Sequence, residues 1–576
     1  MPTLLQINST SNWGSTGKIA EQIGVLAKQD GWDVYVAYGR HANASELPTY
    51  RIGGRWDNRW HFLWSRYLDC EGKASHRATK RLCARIDEIK PDIVHMHNIH
   101  GHYLNYKMLV QHINKRHIPV VWTLHDSWIM TGHCYLFGGT GCQKWKTECH
   151  DCPMKQTFCP DRSTQNYRRK KEVFTSMENV HLVAVSRWLE NVVAESYMKD
   201  FPHQTIYNGI DLKVFSPREN DVKEALGLTG KHIILAVASA WSESKGLKDY
   251  ITLSELLPQD CTIVLVGLTQ EQKDALPERI KGIPLTQTQA ELVELYTAAD
   301  VVLSLSKGES FGLTPVEGMA CGVPAVVYAN GALPELVDDK TGIVVKEGDM
   351  TGLINAIGHF TGMNEDLRQQ TKKCCLERAA SLFDKNNNFS EYISLYNRVL
   401  IEKLIGGGKV VLGLATAWDS RKGLADYIKL AGMLPKEYLI VLVGVTEEIK
   451  ASLPRNIVGI GRTSSQADLA ALYLMAEVVT SLSVSESLGM TPIEGMACGT
   501  PAIVYDNTAQ PELVTPETGV VVKTGDVEAV KEAVVQITDK GKAHYVEACR
   551  QRAEMCFDKN KNYLEYIKLY HTIIKE

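Results

Sequence analysis

Short apolar runs alternate along this chain with longer segments whose apolar positions recur every three or four residues. "TLLQINS", "DVYVAYG", "DIVHMHN", "VVWTLHD" and "LVAVS" punctuate the first 210 residues, with helical patterns between them. The rhythm continues through "HIILAVAS", "CTIVLVG", "VVLSLS" and "PAVVY" and starts again after residue 409. Brief strands without polar alternation, spaced by helices, predict parallel sheets covered on both faces. The expected fold class is α/β, with three doubly wound, Rossmann-like domains.

The third domain repeats the second. "ESFGLTPVEGMACGVPAVVY" from Glu309 returns as "ESLGMTPIEGMACGTPAIVY" from Glu486. "ASAWSESKGLKDYI" (238–251) returns as "ATAWDSRKGLADYI" (415–428), at the same spacing. Two copies at this period are two whole domains rather than a solenoid. The expected organisation is an N-terminal domain at 1–212, a first repeat at 213–404 and a second at 409–576. The Gly-, Asp- and Pro-marked loop 208–217 forms the first junction and "GGG" (406–408) the second. Three glycines reach only about 10 Å, so the third domain is expected close to the end of the second.

Composition is that of a soluble globular protein, with 44% apolar residues and a net charge of −4. No apolar run reaches the roughly 18–20 residues of a membrane span. "MPTLLQINSTS" lacks the basic head and apolar core of a signal peptide. A cytoplasmic protein is expected. Charge divides unevenly: residues 1–210 hold 26 Lys/Arg against 19 Asp/Glu, a net of +7, which leaves −11 for the rest. A basic first domain points to an anionic partner. The run from Trp56 to Arg85 offers either that surface, with peripheral contact at the inner face of a membrane, or a solvated helix with its aromatic face buried.

Three stretches could carry chemistry. "NWGSTGKIAEQI" (12–23) follows the first strand and opens a helix, where Gly14 and Gly17 would let the backbone approach an anion. It is not a nucleotide P-loop, because Asn12 stands where glycine is required and Ile19 follows Lys18. A tight strand-to-helix turn explains it equally well. "VVLSLSKGES" is a strand running into a loop, the place where open α/β sheets bind ligands. In "T-P-V-E", Thr314 suits an N-cap, Pro315 the first helical position and Glu317 the third, a capping box that would make Glu317 structural. Thr491, Pro492 and Glu494 repeat it. Glu309 has no such duty, and two carboxylates flanking a helix start could take a nucleotide's hydroxyls while the helix N–H groups take its phosphates.

The third stretch is a cysteine cluster. Five of the 14 cysteines lie between Cys134 and Cys159. Cys134, Cys142, Cys149 and Cys152 end in C-x-x-C and fit a tetrahedral structural zinc site. Free thiols are the other reading. Cys159 is left over, and His133 and His150 are alternative ligands. Four thiolates leave no open position for a catalytic zinc.

The spacing E-x7-E (Glu309 to Glu317), with "GMACGVPAVVY" and "LPELV" after it, resembles the signature of retaining glycosyltransferases of family 4, which have the GT-B fold. The glycine loop at 14–17, "SKG" at Lys245, "VSRWL" (185–189) and "NGIDLKVF" (208–215) extend the resemblance over residues 1 to about 404. "HMHNIHGHYLN", "TLHDSWIMTGHC" and "W-x-x-x-KG" are similar to bacterial capsule and exopolysaccharide members. The resemblance implies transfer of a sugar from a nucleoside diphosphate sugar to a glycan or lipid-linked acceptor, without a catalytic metal and without nucleic acid.

It also implies roles. Glu317 would bind ribose hydroxyls. Glu309 would face the donor sugar, with the backbone of Phe311, Gly312 and Leu313 on sugar or phosphate oxygens. Lys245 would neutralise the diphosphate and Gly14 approach it. His125 would stand near the reacting sugar, with Asp126 orienting it or taking the acceptor proton. His97, Asn98 and His100 would contact the acceptor or cap a loop. The family's arginine five residues before the lysine is replaced by Ala240, and by Ala417 in the second copy, leaving less positive charge unless Trp241 marks another arrangement. The second copy keeps Lys422, Glu486, Gly489 and Glu494 but has no first-domain partner of its own, so one complete active site is expected. A GT-B hydrolase, epimerase or phosphorylase, or a non-catalytic sugar-nucleotide binder, is the competing reading.

Overall fold

The computed structural model describes residues 2–575, apart from 138, 139, 156, 407, 455, 462, 464 and 465. Gly407 of the expected glycine junction therefore lies outside the described residues. The chain divides into two compact units, Met1–Ile393 and Ser394–Glu576.

The first unit contains two parallel sheets. Seven strands, from Thr3–Asn8 to His203–Thr205, build the first in spatial order 3-2-1-4-5-6-7. Its central strands Ile93–Met96 and Val120–Leu124 are buried throughout. That burial explains why they read as unbroken apolar runs. Six strands, from His232–Val237 to Gly342–Val345, build the second in order 3-2-1-4-5-6. All pairings are parallel, so the carboxyl ends of each sheet's strands share one edge.

The second unit carries the third sheet, again in order 3-2-1-4-5-6. The repeat holds at the level of register. Val301 pairs with Ile234 and Ala325 with Gly342; their counterparts Val478 with Val411 and Ala502 with Gly519 pair likewise.

The compact division falls inside the helix Lys385–Ile405, ahead of the expected 406–408 junction. The helix serves two cores. Its late residue Ile401 joins the apolar cluster of the third sheet, with Val410 and Leu412. Its early part returns to the N-terminal domain: Tyr392 is buried, its hydroxyl accepts from Thr123 Oγ1 at 3.1 Å, and its ring lies 5.4 Å from that of His95. Gly209 sits where a Cβ would meet Lys385 Cα at 2.2 Å, so the domain junction and the returning helix touch backbone to backbone. Asp211 and Lys385 close the contact with an ion pair at 2.6 Å.

Truncating Tyr392→Ala should destabilise the first unit by about 3–5 kcal/mol, as for other large buried aromatics. Tyr392→Phe, which removes one hydrogen bond, should cost about 1 kcal/mol. The first transition in a urea titration followed by tryptophan fluorescence measures both.

Candidate functional site

A cleft of about 550 Å³ opens between the two sheets of the first unit. The N-terminal domain contributes Gly14, Lys18 and His125, and the second domain Lys245, Glu309 and Glu317. Gly14 opens a helix, His125 follows a strand's carboxyl end, and Lys18 and Glu317 each stand just past the first turn of their helices.

The helix Leu313–Ala320 begins two residues earlier than a capping box requires. Gly312 is its N-cap, at φ 105°, and no side chain caps the first turn. A Cβ on Gly312 would meet Leu333 Cδ2 at 2.7 Å, so both conformation and space demand glycine. Thr314 instead donates to Val237 O at 3.3 Å. The capping box expected from the sequence does not form, because Gly312 takes the N-cap and moves Glu317 beyond the first turn. The third domain behaves alike: Gly489 is the N-cap of Met490–Ala497. Glu317 is therefore released from capping. It accepts from Tyr296 Oη at 2.7 Å, and burial pushes its carboxyl up while the Tyr296 hydrogen bond and Lys18 pull it down.

Glu309 is ion-paired with Lys245, which projects from a short 3-10 turn at Glu243–Lys245. Phe311 is 3% exposed and packs on Tyr207 and Phe383. Leu313 and Gly312 line the cleft beside it. Trp241 is a wall rather than a charge: it is buried, with its indole N–H donating to Val266 O at 2.9 Å. Ala240 is exposed, so no cation replaces the missing arginine from that position.

On the facing side the two glycines part company. Gly14, at φ 65°, has open space where a Cβ would stand and lines the cleft. A Cβ on Gly17 would meet Thr10 Oγ1 at 2.6 Å. Gly17 lets the helix Gly14–Gln29 pack on its own loop, a structural duty in place of the ligand approach read from the sequence.

The histidines form a buried relay. His97 Nδ1 lies 3.1 Å from His125 Nε2, and the rings of His95 and His97 are 4.0 Å apart. Burial holds His125 down at about 4, against the pull of Asp126, and holds His95 and His97 well below the ordinary imidazole range. Asp126 does not orient His125. Its Oδ2 accepts from His100 Nε2 at 2.7 Å and its Oδ1 from Trp128 N at 2.9 Å. Burial opposes charge on both partners, but each holds the other ionised, raising His100 and lowering Asp126. Asn98 caps the loop through its backbone, its N–H on Asn8 Oδ1 at 3.3 Å and its carbonyl taking Tyr103 Oη at 2.8 Å.

A second pocket of about 360 Å³ shares Lys245 and Glu309 with the cleft and reaches into the N-terminal domain along Glu71, His102, Tyr135 and Lys170. Lys170 is buried, donates to Trp128 O and Thr131 O at 2.7 and 3.0 Å, and burial lowers it to about 8. Helix Arg55–Leu68 forms the pocket's rim with Phe62 and Arg66. The reading with this helix's aromatic face buried fails. Trp56 is 72% exposed and Trp60 62%, with Phe62, Trp64 and Tyr67 also exposed, while His61 and Ser65 turn inward. Lys18, Tyr296, Glu71 and Lys170 were missed from sequence. Only Lys18, beside the glycine loop, carried a signal there.

In the second unit Lys422 pairs with Glu486, and Tyr473 Oη donates to Glu494 Oε2 at 2.7 Å. The half-site chemistry is repeated, but Leu488, in the place of Phe311, is 45% exposed. No disulfide joins the cysteines among the described residues. Cys134, Cys142, Cys149 and Cys152 surround one small cavity behind the second pocket.

Family comparisons match this layout. The model described as Glycosyl transferases group 1 matches residues 218–374 and again 402–554, and Glycosyltransferase Family 4 matches 19–214. N-acetyl-alpha-D-glucosaminyl L-malate synthase of Bacillus anthracis is 28% identical over 229 residues, 38% of this chain and 60% of that protein. The chain spans between 50% and 66% of the first curated relatives it matches. Sucrose-phosphate synthase from Thermosynechococcus elongatus superposes with a TM-score of 0.52 at 17% identity, over 70% of this chain and all of that one. HepE of Anabaena, solved in complex with UDP, gives 0.50 at 18% identity over 69% and 99%. These neighbours share the GT-B fold. With one model matched on the first sheet and the other matched twice, on the second and third, the chain belongs to the group 1 glycosyl transferases, on a GT-B frame that carries a second copy of its C-terminal domain.

Proposed function

We propose that this protein is a retaining glycosyltransferase that moves a sugar from a nucleoside diphosphate sugar to a glycan or lipid-linked acceptor in cell-surface polysaccharide synthesis. The observation that carries the reading is the convergence in one cleft of Glu317, the Lys245–Glu309 pair, an uncapped helix N-terminus and His125. Glu317 accepts the ribose hydroxyls. The N–H groups after Gly312 and the Lys245 ammonium take the diphosphate, whose charge grows as the glycosidic bond breaks. Glu309 is then free to hold the sugar's hydroxyls. His125, neutral at pH 7, offers a hydrogen bond to the sugar without adding charge. HepE, solved with UDP, supports a uridine donor, and the capsule-like "TLHDSWIMTGHC" supports the acceptor class.

Glu309→Gln should lower acceptor-dependent release of nucleoside diphosphate by about 10²-fold or more, in the range of lost transition-state contacts. Glu486→Gln should leave it within about twofold. The assay uses UDP-, GDP- and ADP-glucose in turn. An undiminished rate for Glu309→Gln would favour a sugar-nucleotide-binding protein without catalysis.

The buried histidines fix a pH signature. A folded-state value near 4 for His125 lies below the unfolded 6.5, so the unfolded chain takes up the proton first. Its stabilisation is complete above about pH 6.5 and is lost as pH falls toward 4, roughly 3 kcal/mol in all. His95 and His97 steepen the same slope, while Asp126 and His100 face the cluster as a pair. Denaturant midpoints at pH 7 and 5 should differ accordingly, and His125→Asn should shrink the difference.

The rim helix extends the proposal to a membrane surface at the cytoplasmic face. Exposed tryptophans beside Arg55, Arg59 and Arg66 combine an interfacial apolar face with positive charge. No helix among the described residues is long and apolar enough to cross a membrane. The chain should co-sediment with vesicles containing anionic lipid, and Trp60→Glu with Trp64→Glu should reduce the bound fraction several-fold.

A further inference from the structure

The segment between the strand Val120–Leu124 and the helix Ser163–Phe174 spans nearly forty residues. Its only regular structure among the described residues is two 3-10 turns, Trp128–Met130 and Lys144–Lys146. Loops of this length without secondary structure are uncommon in compact domains, and a small loop-rich lobe needs a staple. Among the described residues no disulfide supplies one.

From this geometry we infer that Cys134, Cys142, Cys149 and Cys152 hold a structural zinc ion that fixes the wall of the second pocket. All four line a cavity of about 10 Å³, room for one small sphere and not for an organic ligand. Cys134 Sγ and Cys152 Sγ stand 4.0 Å apart. For this pair that is close to the roughly 3.8 Å edge of a tetrahedron with ~2.3 Å zinc–sulfur bonds. Among the described residues no three of the thiol sulfurs lie within 4.8 Å of one another, so an ion would draw Cys142 and Cys149 inward. Gly132 N–H donates to Cys149 Sγ at 3.3 Å, the kind of backbone support that orients a thiolate ligand. Phe137 and Trp145, stacked at 4.8 Å, close the apolar side.

A competing set of donors is present. Among the described residues, Asp69, His133 and Asp161 bring their donor atoms within 4.8 Å of one another. Both carboxylates already accept hydrogen bonds, while the buried His133 Nδ1 has no hydrogen-bond partner among the described residues. Asp69 accepts from His133, Arg162 N and Asn166. Asp161 accepts from Cys152 N and from Ser163. His133 Nε2 is held by Asp69 while Cys152 also bears on its ring, and His150 Nδ1 faces the exposed Asp151. The four thiols, with His150, are the donors that line the small cavity.

The site matters because of what borders Cys134. His133 and Tyr135 both line the second pocket, and Tyr135 Oη donates to Glu71 Oε1 at 2.9 Å. Thr131 Oγ1 bonds to the Cys134 carbonyl, and Lys170 reaches in to Thr131 O. Pinning Cys134 pins that wall.

The test uses the full-length chain, purified without chelator or nickel resin. Elemental analysis should find about one zinc per chain, unchanged in Cys556→Ser and reduced at least fivefold in Cys142→Ser. Growth on cobalt should give the intense visible bands of tetrahedral thiolate coordination, a readout that needs no variant. Stripping the metal should speed tryptic cleavage within 134–159 about tenfold or more. A zinc-free wild-type chain that takes up none when Zn²⁺ is added, with all four thiols titrating as free, would overturn the inference. So would weak octahedral cobalt bands, which would point to Asp69, His133 and Asp161.

Discussion

The cleft exists because one helix goes back. Lys385–Ile405 leaves the second domain and places Tyr392 in the N-terminal core, against Thr123. Thr123 Oγ1 lies 2.8 Å from His95 Nε2, His95 stacks near His97, and His97 meets His125 at the cleft. The contact that fixes the two domains as one unit thus ends in the residues that line their interface. A two-domain site needs its halves held to fractions of an ångström, and a buried helix with a hydrogen-bonded anchor provides this better than a linker could.

The same helix explains why duplicating the second domain need not duplicate the site. The terminal helix Lys559–Lys575 repeats the pattern of Lys385–Ile405: Tyr563, Tyr566, Ile567, Leu569, Tyr570 and Ile573 correspond to Phe389, Tyr392, Ile393, Leu395, Tyr396 and Val399. The earlier set is buried and the later set exposed. Leu488 and Met490, at the loop where Phe311 finds Tyr207, are exposed too. Lys422, Glu486, Tyr473 and Glu494 keep their pairings regardless, because these are made within one domain. What a single domain can hold together has been retained, and what required the N-terminal domain has no counterpart.

The fold was legible in the sequence because buried parallel strands leave short unbroken apolar runs, and the repeat made the alternation of strands and helices readable twice. The pair of carboxylates eight residues apart was legible for the same local reason. The capping box was misread because one backbone angle decides it: Gly312 takes φ 105° and starts the helix early. Of the two roles read for Asp126, orienting its sequence neighbour His125 is not the one its geometry serves, because the strand end turns it toward His100, on a different loop. Lys245 and Glu309 lie 64 residues apart, and no spacing rule announces their contact. Gly17 looked like Gly14 because a glycine's reason, ligand or neighbour, is visible only once Thr10 is placed beside it.

The electrostatics of the cleft follow from that contact. Two carboxylates and Lys245 meet a helix start, and the arginine that would tip the balance positive is absent at Ala240. With Lys245 held by Glu309, the second domain presents little net attraction for an anion. A diphosphate arriving at the uncapped N–H groups competes for the Lys245 ammonium, and each contact it gains there loosens Glu309. On the proposed reading, that exchange matters twice. The cation moves to the charge that grows during the reaction, and the released carboxylate acquires free lone pairs where the sugar's hydroxyls arrive. Lys18 and the neutral His125 line the same cleft from the other domain, so that side adds one positive charge and no imidazolium.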